Sequence, residues 1–280
     1  MTKHEIKLPS GDIVAYWEHH ADKKPTIILV HGFTGSHEGF QYLVPLLTDF
    51  HLIIPDLPGF GVSPLPHDRL TLHGLGELLV DFVETINLPE KPHLLGHSMG
   101  SLVVSEAARQ HSSAFAKKLI LISPVPAPIG WVDERRPGAI FGQLYYKASH
   151  RLPIVGKHIA TSSKLTRFST RLIMTAKDAD LRRVIHGHHL NNLNFISSIS
   201  WYSRLHSEIN RTGISRYKAA LRQFNVLLVG GDRDNVTPLR LQRQAAKKIG
   251  AKLVSIPGVG HLAHYEKPTE LAQAIVRFLR

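Results

Sequence analysis

The sequence predicts an α/β fold, in which a wound, mostly parallel sheet is flanked by helices and interrupted by an all-helical insertion. Short apolar, β-branched runs recur towards both ends of the 280-residue chain, and most are continuous rather than alternating. Strands buried on both faces of a parallel sheet read this way. Helical periodicities lie between these runs, and strands alternating with helices wind a single sheet. The middle of the chain shows helical periodicity without a convincing strand.

In chain order, runs at 6–8 and 13–17 flank Pro9-Ser10-Gly11-Asp12, a turn of hairpin length, so the sheet is expected to begin antiparallel. Runs at 26–30, 52–54, 93–95, 118–122, 226–229 and 252–256 then read as buried strands, and helical patterns cover 71–86, 98–109, 239–249 and 268–279. The rhythm breaks after Ser123-Pro124-Val125-Pro126-Ala127-Pro128 and resumes near Phe224. Helices are expected there at 139–152, 164–176, 180–189 and 195–209. The expected organisation is a core of residues 1–126 and 218–280, with 127–217 inserted as a helical cap.

Composition narrows the possibilities. Hydrophobic residues make up 43% and charged residues 20% of the chain, the balance of a globular protein. No run approaches the roughly 18 apolar residues of a spanning helix. The first residues mix charges with apolar positions where a signal peptide needs an apolar block, so a cytoplasmic location is the default expectation. The absence of cysteine excludes a disulfide, a thiolate metal site and a cysteine nucleophile. The net charge of +12 is unevenly spread, with fifteen Lys and Arg against five Asp and Glu between residues 125 and 220.

The chemistry concentrates in a few turns. Gly96-His97-Ser98-Met99-Gly100 follows the run at 93–95 and opens a helix. A strand turning sharply into a helix strains the serine backbone and lifts its hydroxyl above the sheet edge, and small flanking residues avoid collisions there. The start of the helix also places backbone N–H groups and the positive end of the dipole beside Ser98 and Met99. His31-Gly32-Phe33-Thr34-Gly35 follows the run at 26–30, and its glycine-rich turn brings the Phe33 N–H towards the same space. Phe33 and Met99 are thus the expected backbone donors of an oxyanion hole. His31 itself reads as a structural hydrogen-bonder.

A serine hydroxyl needs a base within reach, and the base needs an acceptor that fixes its tautomer. Among nineteen histidines, His261 stands between the last strand run and the last helix, at the strand end where Ser98 also sits. His97 adjoins the serine but is expected to point elsewhere. For the acid, Asp232 and Asp234 compete in the turn after the run at 226–229. Asp56, beside Pro58-Gly59-Phe60-Gly61, reads as shaping its loop. His186-Gly187-His188-His189 has no carboxylate at ligand spacing and reads as solvated or capping rather than metal-binding. Trp131, Tyr145, Tyr146, Phe195 and Trp201 are read as core.

These segments resemble the α/β-hydrolase superfamily across nearly the whole core. The shared motifs are His31-Gly32, Asp56-Leu57-Pro58-Gly59-Phe60-Gly61-Val62-Ser63, the Gly96 to Gly100 elbow, Gly231-Asp232-Arg233-Asp234 with Pro238, and Gly260-His261. The resemblance implies an eight-stranded, mostly parallel sheet with a helical cap, the chain order serine, aspartate, histidine, and Asp234 rather than Asp232 as the acid. A serine nucleophile makes epoxide- and halide-processing relatives poor guides. Carboxylic esters, small or lipid-like, are the first expectation, with no cofactor or metal required. The alternative enzyme is a carbon–carbon bond hydrolase acting on vinylogous diketones, whose relatives share Gly-x-Ser-Met-Gly. Against it, Leu262-Ala263-His264-Tyr265-Glu266 lacks the tryptophan often found beside the base in that group. A non-enzymatic ligand receptor of the same fold would be marked by a missing triad residue, and none is missing. An anionic membrane surface suits the basic cap, whereas nucleic acid does not, because no aromatic-and-basic motif accompanies the charge.

Overall fold

Continuous apolar runs become central strands because every side chain in them is covered. In the computed structural model, which describes residues 1–128, 140–142, 144, 147, 161–196 and 198–280, β3 (Thr26–Val30) and β4 (His51–Pro55) are buried at every position. Eight strands form one sheet in the order β1-β2-β4-β3-β5-β6-β7-β8. The remaining strands are β1 (Thr2–Lys7), β2 (Ile13–His19), β5 (His93–His97), β6 (Lys118–Ile122), β7 (Asn225–Gly231) and β8 (Lys252–Ile256). The β1–β2 and β2–β4 pairs are antiparallel and all later pairs are parallel, as the opening turn and the apolar runs predict. The first strand is longer than the run at 6–8. It pairs along its full length with β2 although several of its residues are exposed, which an apolar pattern does not register.

Helices cover both faces. One face carries α1 (Leu72–Thr85) and α2 (Met99–Gln110), with Leu75, Leu79, Leu102 and Val103 packed on Ile28, Leu94 and Leu121. The other takes Phe40, Leu43 and the last helix, whose Leu271 and Ile275 meet Leu29, Leu95 and Ile120. Each such side chain contributes roughly 1.5–3 kcal/mol on burial. Local signals set the ends of these helices. Thr71 caps α1 by accepting from the Gly74 N–H at 3.0 Å, so the helix opens at Leu72, one residue inside the predicted start.

Between β6 and β7 the described residues form α3 (Ser163–Ile173), α4 (Ala179–Asn191) and α5 (Ile199–Asn210), close to three of the four predicted helices. The predicted helix at 139–152 lies largely outside the described residues. Beyond β7 come α6 (Leu239–Ile249) and, after β8, α7 (Pro268–Leu279), with the predicted bounds. Gly250 ends α6 at φ 77°, the left-handed conformation glycine adopts without strain.

Candidate active site

Ser98 stands between the last residue of β5 and the first of α2, at φ 52° and ψ −117°. Such a conformation strains any residue with a Cβ and survives only where its surroundings enforce it. Here the enforcement is a close approach of backbones. A Cβ on Gly100 would strike the Val30 carbonyl oxygen, and one on Gly96 would strike the Gly100 carbonyl. The Ser98 N–H donates to the Ile122 oxygen at 3.0 Å, and Ser101 binds the Ser98 carbonyl through both its N–H (2.9 Å) and its hydroxyl (2.6 Å). The elbow is held from both sides of the sheet end.

The structure brings the three predicted residues together. His261 Nε2 lies 2.9 Å from Ser98 Oγ, and His261 Nδ1 lies 2.9 Å from Asp234 Oδ2. Asp234 is buried, with its side chain fully covered. It accepts from the N–H groups of Val236 (2.9 Å) and Thr237 (2.8 Å) and from the Thr237 hydroxyl (2.7 Å). Burial by itself would raise this carboxyl. The charge and hydrogen bond of His261, with those donated by Thr237, hold it below its ordinary value. An ionised carboxylate only accepts, so the Nδ1 proton sits between the ring and Asp234, and Nε2 is left to accept from Ser98. Asp232 does something else: its Oδ1 accepts from the Gly258 N–H at 2.7 Å and shapes the turn before His261.

Phe33 and Met99 both line the cavity that contains Ser98. Met99 is the first residue of α2, where backbone N–H groups lack intrahelical acceptors. The Phe33 ring packs on Tyr202 (5.5 Å between centroids) and His206 (5.3 Å), tying the turn to α5. His31 is a structural hydrogen-bonder as expected, since Nδ1 donates to the Gly32 oxygen (2.8 Å) and Nε2 accepts from the Leu57 N–H (3.0 Å). Asp56 shapes its loop: it is buried and accepts from the N–H groups of His37 (2.7 Å) and Val62 (3.0 Å).

Several side chains at the site were not legible beforehand. His97 lines the same cavity, and its Nε2–H donates to the His261 carbonyl at 3.2 Å and so fixes the backbone of His261. Burial and then the neighbouring His261 charge press its pKa down to about 3. His264 packs against it with the rings tilted at 56° and their centroids 4.2 Å apart, and is likewise held well below the ordinary value, mainly by burial. Thr237 also escaped notice, although an aspartate followed three residues later by threonine is the signal of a local turn that clamps a carboxylate.

The reading of His186-Gly187-His188-His189 as solvated or capping is corrected for His188 and His189, while His186 stays partly exposed. Helical spacing turns His188 to Tyr265 (3.0 Å) and His189 to Thr170 (2.8 Å), and His189 lines the cavity. No group of three or more His, Asp or Glu side chains that could hold a metal occurs among the described residues. Trp201 and Phe195 do not line the cavity; Trp201 is buried against Phe60. Trp131, Tyr145 and Tyr146 lie outside the described residues.

The cavity measures about 230 Å3 and gathers residues from β-strand ends and from all three described helices of the insertion. Its lining includes no Asp, Glu, Lys or Arg among the described residues. Among the polar groups it presents, Thr166, Ser169, Asn192 and Asn210 carry no charge, and burial presses His189 and His206 to about 4, which leaves both neutral at pH 7.

The model of the alpha/beta hydrolase family matches residues 27–274. The chain belongs to that family. Among curated relatives, this α/β hydrolase is 26% identical over 281 residues to the uncharacterized hydrolase YugF of Bacillus subtilis, covering 95% of this chain and 94% of that one. It is 38% identical to putative esterase/lipase 3 of Mycoplasma genitalium, over 103 residues that make up 37% of either chain. Among solved structures, a thermophilic esterase from Thermogutta terrifontis superposes with a TM-score of 0.79 at 21% identity, covering all of this chain and 98% of that one, a likeness of fold. Family membership and these relatives support a hydrolase.

Proposed function

We propose that the chain is a serine hydrolase that cleaves neutral carboxylic esters through an acyl-enzyme. The observation that carries this reading is the unbroken relay of two 2.9 Å hydrogen bonds from Ser98 through His261 to buried Asp234, opening into a cavity without charged lining among the described residues. Relatives named as esterases or lipases support the same bond class.

In the first half-reaction, Ser98 Oγ attacks the ester carbonyl carbon while His261 Nε2 takes the hydroxyl proton. Negative charge gathers on the carbonyl oxygen, where the Phe33 and Met99 N–H groups and the α2 dipole meet it. Asp234 stabilises the imidazolium without taking its proton. The tetrahedral adduct collapses, the C–O bond breaks, and the leaving alcohol receives the proton from His261. Water then attacks the acyl carbon as His261 takes its proton; the second adduct releases the acid and returns the proton to Ser98.

The insertion, residues 127–217, serves as a cap over a core of 1–126 and 218–280. The contribution of Thr166, Ser169, Ile173, His189, His206 and Asn210 to the wall around Ser98 supports that division. A lining that offers no counter-charge among the described residues favours uncharged acyl and alcohol groups, because a buried, unpaired carboxylate or ammonium costs several kcal/mol.

The test is a panel of neutral esters graded by acyl length, each beside an analogue ending in a carboxylate, with one vinylogous diketone included. Neutral esters turn over with at least about tenfold higher kcat/KM, the effect of roughly 1.4 kcal/mol. Turnover of the diketone alone would replace this reading with carbon–carbon hydrolysis.

A further inference from the structure

The insertion has a second polar face, remote in character from the neutral cavity. α3 and α4 pack side by side, and between them lies a cleft of about 430 Å3 lined by Arg167, Arg171, Arg182, Arg183 and His186. Burial, followed by the charges of Arg167, Arg171 and Arg182, holds His186 below its ordinary pKa, as convergent guanidinium groups do to a neighbour that would add charge. The acids nearby do not balance the set. Asp180 pairs with Arg183 at 2.6 Å, and Asp178 caps α4 through the Leu181 N–H. Arg167, Arg171 and Arg182 take no carboxylate partner among the described residues. Guanidinium groups gathered in one concavity repel one another, and phosphate oxygens are the acceptors their planar forks match.

An apolar element accompanies the charge. Phe168 is 48% exposed although it is aromatic; its ring lies edge-on to Phe141 at 5.0 Å, and it stands beside Arg167 on the exposed side of α3, opposite buried Thr166 and Thr170. The inward side of the same helix supplies Thr166, Ser169 and Ile173 to the cavity around Ser98. A basic cleft with an exposed aromatic beside it fits a lipid interface better than a dissolved anion, which offers nothing to Phe168. No helix among the described residues is long and apolar enough to cross a membrane.

We propose that the α3–α4 face is a peripheral docking surface for anionic phospholipid membranes, with headgroup phosphates in the arginine cleft and Phe168 entering the interface. Docking sets one wall of the substrate cavity directly behind the lipid contact. It does not depend on the chemistry at Ser98, so the two readings fail separately.

The experiment is co-sedimentation of the whole chain with phosphatidylcholine vesicles, with and without phosphatidylglycerol, at low and physiological salt. Wild type is expected to pellet with anionic vesicles only and to be released as salt rises. Replacing Arg167, Arg171 and Arg182 together by Gln should weaken partition by about fivefold per charge, roughly a hundredfold in all. The same charge removed from exposed positions of α6, by Arg240→Gln, Arg243→Gln and Lys247→Gln, should leave partition near wild type. Phe168→Ala should weaken binding while keeping the anionic preference. All variants should still hydrolyse a soluble ester, which checks their folding. Equal binding to neutral vesicles, binding to neither kind, or equal loss in the two triple variants would overturn the proposal. So would displacement by inorganic phosphate at matched ionic strength with Phe168→Ala unaffected, which would make the cleft a soluble-phosphate site. Retention on duplex DNA without vesicle binding would assign the face to nucleic acid instead.

Discussion

At the scale of single residues, the two aspartates of one turn have separated roles. Asp234 faces His261, and Asp232 binds a backbone N–H. Asp234→Asn should lower kcat on the order of 10⁴-fold by favouring the wrong histidine tautomer. Asp232→Asn should stay within about tenfold of wild type, since its amide oxygen can still accept from Gly258. Steady-state kinetics on one soluble ester decides between them, and a larger loss in the Asp232 variant would contradict the assignment. Ser98 and His261 were legible because each stands in a short turn between a clear strand and a clear helix. Asp234 was legible only through family register, since two carboxylates two positions apart look alike in a sequence. Thr237, three residues after Asp234 in one turn, carries a local signal for its contact with that carboxylate, whereas His97 binds the His261 carbonyl, a contact that exists only once two strand ends are brought together.

At the scale of elements, the elbow and the insertion respond in opposite ways to the same change. Gly100→Ala drives a methyl into the Val30 carbonyl and should destabilise the protein by about 3 kcal/mol or more, at the upper end of overpacking costs. Gly187 sits inside α4 with nothing within 4 Å of a would-be Cβ. Gly187→Ala should therefore stabilise by up to about 1 kcal/mol through helix propensity. Thermal midpoints of the two variants should move in opposite directions, and a shift of Gly100→Ala to higher temperature would sink the steric account. Helices were read well because apolar spacing and caps are local. The facing of α4 differs from the expectation for a physical reason: His188 and His189 follow buried Ile185 by three and four residues, a helical spacing that the neighbouring Arg182 and Arg183 mask in a basic segment.

At the scale of the whole molecule, strand alternation announced the sheet, but its order did not follow from local pattern. β4 inserts between β2 and β3 by long-range pairing. Burial of charge-capable groups within this frame predicts acid sensitivity. His97, with a pKa near 3, and His264, held well below 6.5, bind protons less readily folded than unfolded. Their contribution is complete above the unfolded value near 6.5 and is lost as pH falls from there towards the folded values. Each costs about 1.4 kcal/mol per pH unit within that window. Urea midpoints should therefore drop steeply between pH 6.5 and 5, and a flat profile over that range would contradict the neutral burial of these rings.

The central claim is that Ser98 is the nucleophile, and covalent labelling tests it most directly. A fluorophosphonate probe should form a single adduct that peptide mass mapping places on Ser98. Labelling should disappear in a folded Ser98→Ala variant and be slowed by orders of magnitude in His261→Ala. An adduct on another residue, or undiminished ester turnover by Ser98→Ala, would contradict the account.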